Sequence, residues 1–96
     1  MSIGVIATLT IQDGKNAEFE AIFAELAEQV NANEDGCLYY ALFQTKDSDT
    51  VYKVLESYTD KAALEAHGAT DYFKAAGAKL APCMAGAPHL EILDGK

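Results

Sequence analysis

Between residues 3 and 58 the spacing of the apolar side chains changes from strand-like to helix-like and back to strand-like, and that order leaves few folds open. Ile3 to Ile11 is a β-branched run that stops at the turn signal Gln12-Asp13-Gly14. From about Lys15 to Asn33 the residues Phe19, Ile22, Phe23, Leu26 and Val30 recur at helical spacing, with Glu18, Glu20, Glu25 and Glu28 between them. This predicts an amphipathic helix. Cys37 to Thr45 and Thr50 to Tyr58 are aromatic and β-branched runs joined by Lys46-Asp47-Ser48-Asp49, the pattern of a hairpin with a four-residue loop.

The second half completes the series. Asp60 can cap a short helix that runs through His67 and is stopped by Gly68; Thr70 or Asp71 can cap another that reaches about Leu80 before Pro82. The helical layer is therefore expected to break beside His67. His89 to Leu93 is a last short strand after the loop Ala85-Gly86-Ala87-Pro88. The order β-α-β-β-α-β predicts an α+β, ferredoxin-like domain over residues 1–96: a four-stranded antiparallel sheet with its helices on one face. Both side-chain parities of the strands are largely apolar, with Ile3, Val5, Leu9 and Ile11 against Ile6, and Leu38, Tyr40 and Leu42 against Tyr39 and Phe43. A chain of 96 residues has little with which to cover a second sheet face, so a symmetric homodimer is expected.

Charge removes whole classes of partner. Fifteen acidic residues against seven lysines, with no arginine, give a formal net charge of −8. Such a surface repels nucleic acid and lacks the bidentate fork that favours phosphorylated ligands. No run approaches the ~18 apolar residues of a membrane span. The N-terminal stretch has no basic flank of a signal peptide, so a cytoplasmic protein is expected. Cys37 and Cys83 are far apart and in no metal-binding spacing, so they are expected to be free thiols; no metal site is predicted.

Chemistry concentrates in one stretch. Tyr52, Val54, Glu56 and Tyr58 share one face of their strand, which sets the Glu56 carboxylate among apolar neighbours, where its pKa should rise unless it is paired. That suits a general acid or base; equally, Glu56 could cap a backbone amide or bind a lysine. His67 closes the short helix at the break, poised as a base near neutral pH, or else bonded to a helix carbonyl or to Glu56. Tyr40, Tyr58, Tyr72 and Phe73 suit a planar ligand and suit an ordinary core. His89 reads as structural or exposed.

Taken together, Gly14-Lys15, Glu34-Asp35-Gly36-Cys37-Leu38-Tyr39-Tyr40, Glu56-Ser57-Tyr58, Asp60, Ala63-Leu64, His67 and Phe73 resemble the antibiotic biosynthesis monooxygenase superfamily, whose members include quinol monooxygenases. The resemblance implies a cavity between sheet and helices, and oxidation of a small quinol or polyphenol-like substrate by dioxygen without metal or flavin. By position it implies His67 as base or proton shuttle, Glu56 as its partner, and Tyr40, Tyr58, Tyr72 and Phe73 as substrate-binding walls. Tyr58 stands where many relatives carry tryptophan. The haem-degrading relatives' axial histidine aligns with Gly77 and their pocket asparagine lies near Ala7, which disfavours haem and leaves no cofactor expected. Two other functions share these residues: isomerisation of a small hydroxycarbonyl compound, as in the similar autoinducer-2 processing proteins, and noncatalytic binding of a small molecule.

Overall fold

The computed structural model describes residues 2–96. Its elements follow the order β1 (Ile3–Thr10), α1 (Asn16–Asn33), β2 (Cys37–Gln44), β3 (Val51–Tyr58), α2 (Lys61–Ala69), α3 (Asp71–Leu80) and β4 (His89–Asp94), with a 3₁₀ turn at Ala81–Cys83. The strands form one antiparallel sheet in the order β2-β3-β1-β4. This is the ferredoxin-like arrangement expected from the sequence.

The turn after β1 needs Gly14, whose φ of 84° lies in the left-handed region. Beyond it, Phe19, Phe23, Leu26 and Val30 are the buried stripe of α1, and Ile22 is half-buried at its edge. Phe19 is fully enclosed and its ring lies 4.7 Å from that of Tyr52. Tyr52 in turn donates to Glu20 and accepts from Asn16 Nδ2, which ties the start of α1 to the hairpin. Phe23, Leu26 and Val30 pack with Ala7, Tyr40, Val54 and Ala76 into the main core.

Gly68 does not stop α2, contrary to the sequence expectation. The helix runs through it to Ala69 and ends because Thr70 is extended, at φ −70° and ψ 149°. Thr70 Oγ1 donates to His67 O at 3.0 Å and accepts from Phe73 N at 3.2 Å, so one residue closes α2 and caps α3. The break beside His67 is thus real but is set by threonine chemistry. Asp60 caps α2 as expected, its Oδ1 accepting from Ala63 N at 2.8 Å.

The register also corrects one strand parity. A bulge between Cys37 and Tyr39 takes Leu38 out of the alternation, and Leu38 is 59% exposed. Val5, Ala7 and Leu9 face the helices together with Tyr52, Val54, Glu56 and Tyr40, while Gly4, Ile6 and Thr8 share the opposite face with Leu93, Tyr39 and Phe43. Among the described residues no helix covers that second face. Tyr39, Phe43 and Leu93 are accordingly exposed by 49%, 48% and 41%.

Gly36 holds α2 close to the start of β2. Its carbonyl accepts from Thr59 N at 2.8 Å, and a Cβ at this position would stand 2.7 Å from Ala63 Cβ and 3.2 Å from Thr59 Oγ1. Neither neighbour is a flexible tip, so Gly36→Ala is expected to lower stability by about 1–3 kcal/mol by pushing α2 outward. A denaturant midpoint equal to that of the unaltered protein would contradict this.

Candidate active site

Between the helix-facing side of the sheet and the layer of α1, α3 and the 3₁₀ turn lies a mainly apolar cavity of about 450 Å³. Ala7, Leu9 and Val54 form part of its floor, Phe23 and Leu26 of α1 and Phe73 of α3 part of its walls. Glu56 is the sole ionisable carboxylate in that lining and Tyr40 the sole phenol. Their placement follows from the strands: Glu56 pairs with Val5 on β1 and with Tyr40 on β2, so the three side chains leave the sheet on the same side.

Glu56 is half-buried, and burial raises its pKa above the ordinary carboxylate value. The Tyr58 hydroxyl, two residues along on the same face, opposes the rise by donating to Glu56 Oε1 at 2.7 Å. The neighbouring His67 opposes it too, whereas Glu34 adds to it. Burial, and then the Glu56 carboxylate, push the phenols of Tyr58 and Tyr40 well upward, so both remain donors. Tyr58 spends its proton on Glu56. Tyr40 has no partner among the described residues; since no fully buried side-chain nitrogen or oxygen there goes unpaired, its hydroxyl is not fully buried, and Tyr40 lines the cavity.

The six residues singled out in the sequence divide into two groups. Tyr40, Glu56 and Phe73 line the cavity. His67, Tyr58 and Tyr72 are not among its lining residues. His67 is only 3% exposed, behind the wall, with its ring centroid 5.2 Å from Tyr40, 5.4 Å from Tyr58 and 4.7 Å from Phe73. It bonds neither Glu56 nor a helix carbonyl through its ring among the described contacts; its Nδ1 lies 3.0 Å from Glu34 Oε1 and 3.2 Å from Oε2. Tyr72 lies beyond Glu34 and donates to Glu34 Oε2, with its own pKa pushed up to about 12 by burial and by that carboxylate.

Glu34 is the residue that sequence reasoning missed. One turn beyond Val30, it continues the buried stripe Phe19, Phe23, Leu26, Val30, and a charged residue on an apolar stripe was the available signal. Among the described residues no three His, Cys, Asp or Glu side chains converge on a point that would hold a metal ion, and no helix is long and apolar enough to cross a membrane.

Comparison with known proteins agrees with this geometry. Residues 2–79 match the family model described as antibiotic biosynthesis monooxygenase. A Caulobacter crescentus CB15 protein described as a candidate antibiotic biosynthesis monooxygenase is 57% identical over 99% of this chain and 90% of its own, with a TM-score of 0.97. A conserved protein of Methanosarcina mazei Go1 is 26% identical, covering 100% of this chain and 94% of its own, with a TM-score of 0.93. SnoaB of Streptomyces nogalater, described as a cofactor-independent oxygenase, shares the fold at 22% identity, with 99% and 93% coverage and a TM-score of 0.86. No functionally curated protein matches the chain. With the family pattern spanning β1 through most of α3, this chain belongs to the antibiotic biosynthesis monooxygenase family.

Proposed function

We propose that the protein is a cofactor-independent monooxygenase acting on a small, neutral quinol or polyphenol-like substrate. One observation carries this reading: the apolar cavity presents a single carboxylate with an enhanced proton affinity, Glu56, beside a phenol that has no partner among the described residues, Tyr40. An apolar slot accepts a planar ring, Tyr40 donates to one of its oxygens, and Glu56 accepts a proton from another. Because Glu56 lines the cavity and His67 does not, Glu56 takes the substrate proton in this scheme, and His67 is the charge partner and relay behind it. Phe73 and Tyr40 hold the ring; Tyr58 orients Glu56; Tyr72 acts on the far side of Glu34.

The reaction balances without a redox group from the protein. Deprotonation makes the quinol electron-rich, and the anion reduces dioxygen with formation of a carbon–oxygen bond. Loss of water from the resulting peroxide leaves a hydroxyquinone. One oxygen atom enters the product and the other leaves as water, with all four electrons supplied by the substrate. The SnoaB description supports such chemistry in this fold.

A panel of neutral quinols and small hydroxycarbonyl compounds, assayed in air and under nitrogen with a metal chelator present, tests the reading. Quinol loss that requires oxygen and ignores the chelator is expected. Turnover of a hydroxycarbonyl compound under nitrogen would instead establish isomerisation, and binding without turnover would establish a binding module.

The same reading includes a homodimer built on the helix-free sheet face, where exposed Tyr39, Phe43 and Leu93 share one side of the sheet with half-buried Ile6 and Leu55. Light scattering should give twice the chain mass at micromolar concentration. A monodisperse monomer would contradict it.

A further inference from the structure

We infer that Glu34 is a positioning residue: it holds His67 with the proton on Nδ1 and leaves the Nε2 lone pair on the ring edge turned away from Glu34. This rests on the proposed function for its catalytic meaning. The geometry, however, can be tested without it.

The backbone fixes Glu34 on both sides. It ends α1 in an extended conformation, at φ −111° and ψ 92°, with its N–H bonded to Val30 O at 3.0 Å and its carbonyl accepting from Cys37 N at 3.1 Å. Its side chain is 11% exposed and meets no lysine among the described ion pairs. Two donors satisfy it: the His67 ring and the Tyr72 hydroxyl. The carboxylate is an acceptor only, so the facing ring nitrogen must carry its hydrogen. Ring geometry then sends Nε2 away from Glu34, on a ring whose centroid lies within 5.4 Å of those of Tyr40, Tyr58 and Phe73.

A purely structural tie between α1 and the α2–α3 junction needs no charge. Apolar packing commonly serves as well or better than a buried ionisable pair. What the carboxylate adds is a fixed tautomer. His67 then stands between two carboxylates: Glu34, bonded to it directly, and Glu56, whose raised proton affinity it offsets. The titratable groups around the ring are Glu34 at the end of α1, Tyr40 and Cys37 on β2, Glu56 and Tyr58 on β3 and Tyr72 on α3, and among the described contacts only Glu34 bonds the imidazole. This is the carboxylate–imidazole orientation used wherever a histidine must offer one particular nitrogen.

Nitrogen-15 NMR of histidine-labelled protein reads the tautomer directly, and assignment is simple because the chain has two histidines, His67 and the exposed His89. In the neutral imidazole, His67 is expected as the Nδ1–H form while His89 shows the Nε2–H form preferred by a free side chain. Glu34→Ala should move His67 to the Nε2–H form. On the best quinol, the same variant should lower kcat by about 10- to 100-fold, the usual cost of losing an orienting partner, with KM unchanged. An Nε2–H tautomer in the unaltered protein overturns the inference, and so does a tautomer shift that leaves kcat intact. If Glu34→Ala does not fold, the spectrum of the unaltered protein still decides. If no quinol is turned over at all, the functional reading falls, while the Nδ1–H form would still uphold the assigned geometry.

Discussion

Glu56→Gln is expected to lower quinol turnover by about 10²- to 10⁴-fold, the usual worth of a general base, while raising the thermal midpoint at neutral pH. The two effects have one cause. Burial makes the folded protein hold the Glu56 proton more tightly than the unfolded chain does. Stability is therefore lost as pH rises from the unfolded carboxyl value through the raised folded one, and the whole penalty applies above it. Glutamine has the same shape, cannot ionise, and still accepts from the Tyr58 hydroxyl through its amide oxygen. In the unaltered enzyme, turnover should rise with pH as Glu56 loses its proton. A variant that keeps full activity, or one that loses activity and stability together, would contradict this assignment.

Phe19→Ala should cost about 3–5 kcal/mol of stability, which corresponds to roughly 10²- to 10⁴-fold in the unfolding constant. Phe19 is fully enclosed, stacks 6.3 Å from Phe23 and lies 4.7 Å from Tyr52 in the cluster that also holds Ile11 and Cys83. This cluster closes the end of the molecule where α1 begins, away from His67 and Glu34 at its other end. Well below its lowered melting temperature, the variant should keep its turnover per folded molecule. Urea denaturation and a rate measurement on one sample separate the effects. A cost below 1 kcal/mol would mean that the site collapses around the missing ring, against the tight packing seen here.

The element order and the helix-facing side of β3 were legible because both rest on local periodicity. Phe19, Phe23, Leu26 and Val30 mark α1 by spacing alone, and Glu56 and Tyr58 fall on one face because strand side chains alternate. What failed depended on contacts between distant segments or on fine backbone geometry. Gly68 looks like a helix stop, yet Thr70 supplies the better one by serving two helices at once. Leu38 has the parity of Tyr40 in the sequence and loses it to a bulge. The partner of His67 lies 33 residues away in the chain, where Glu34 reads only as part of the run Glu34-Asp35-Gly36-Cys37 leading into β2. His67 is 3% exposed and is not among the cavity-lining residues; its ring packs against Tyr40 and Phe73, which only the crossing of α2 and α3 over the sheet decides.

A substrate anion formed at Glu56 is itself expected to reduce dioxygen. Turnover of the best quinol under oxygen-18 gas, in the presence of a chelator, measures this by mass spectrometry of product and water. One labelled atom is expected in each product molecule and one in water, with one dioxygen consumed per quinol. Product free of label, formed at an undiminished rate under nitrogen, would contradict it.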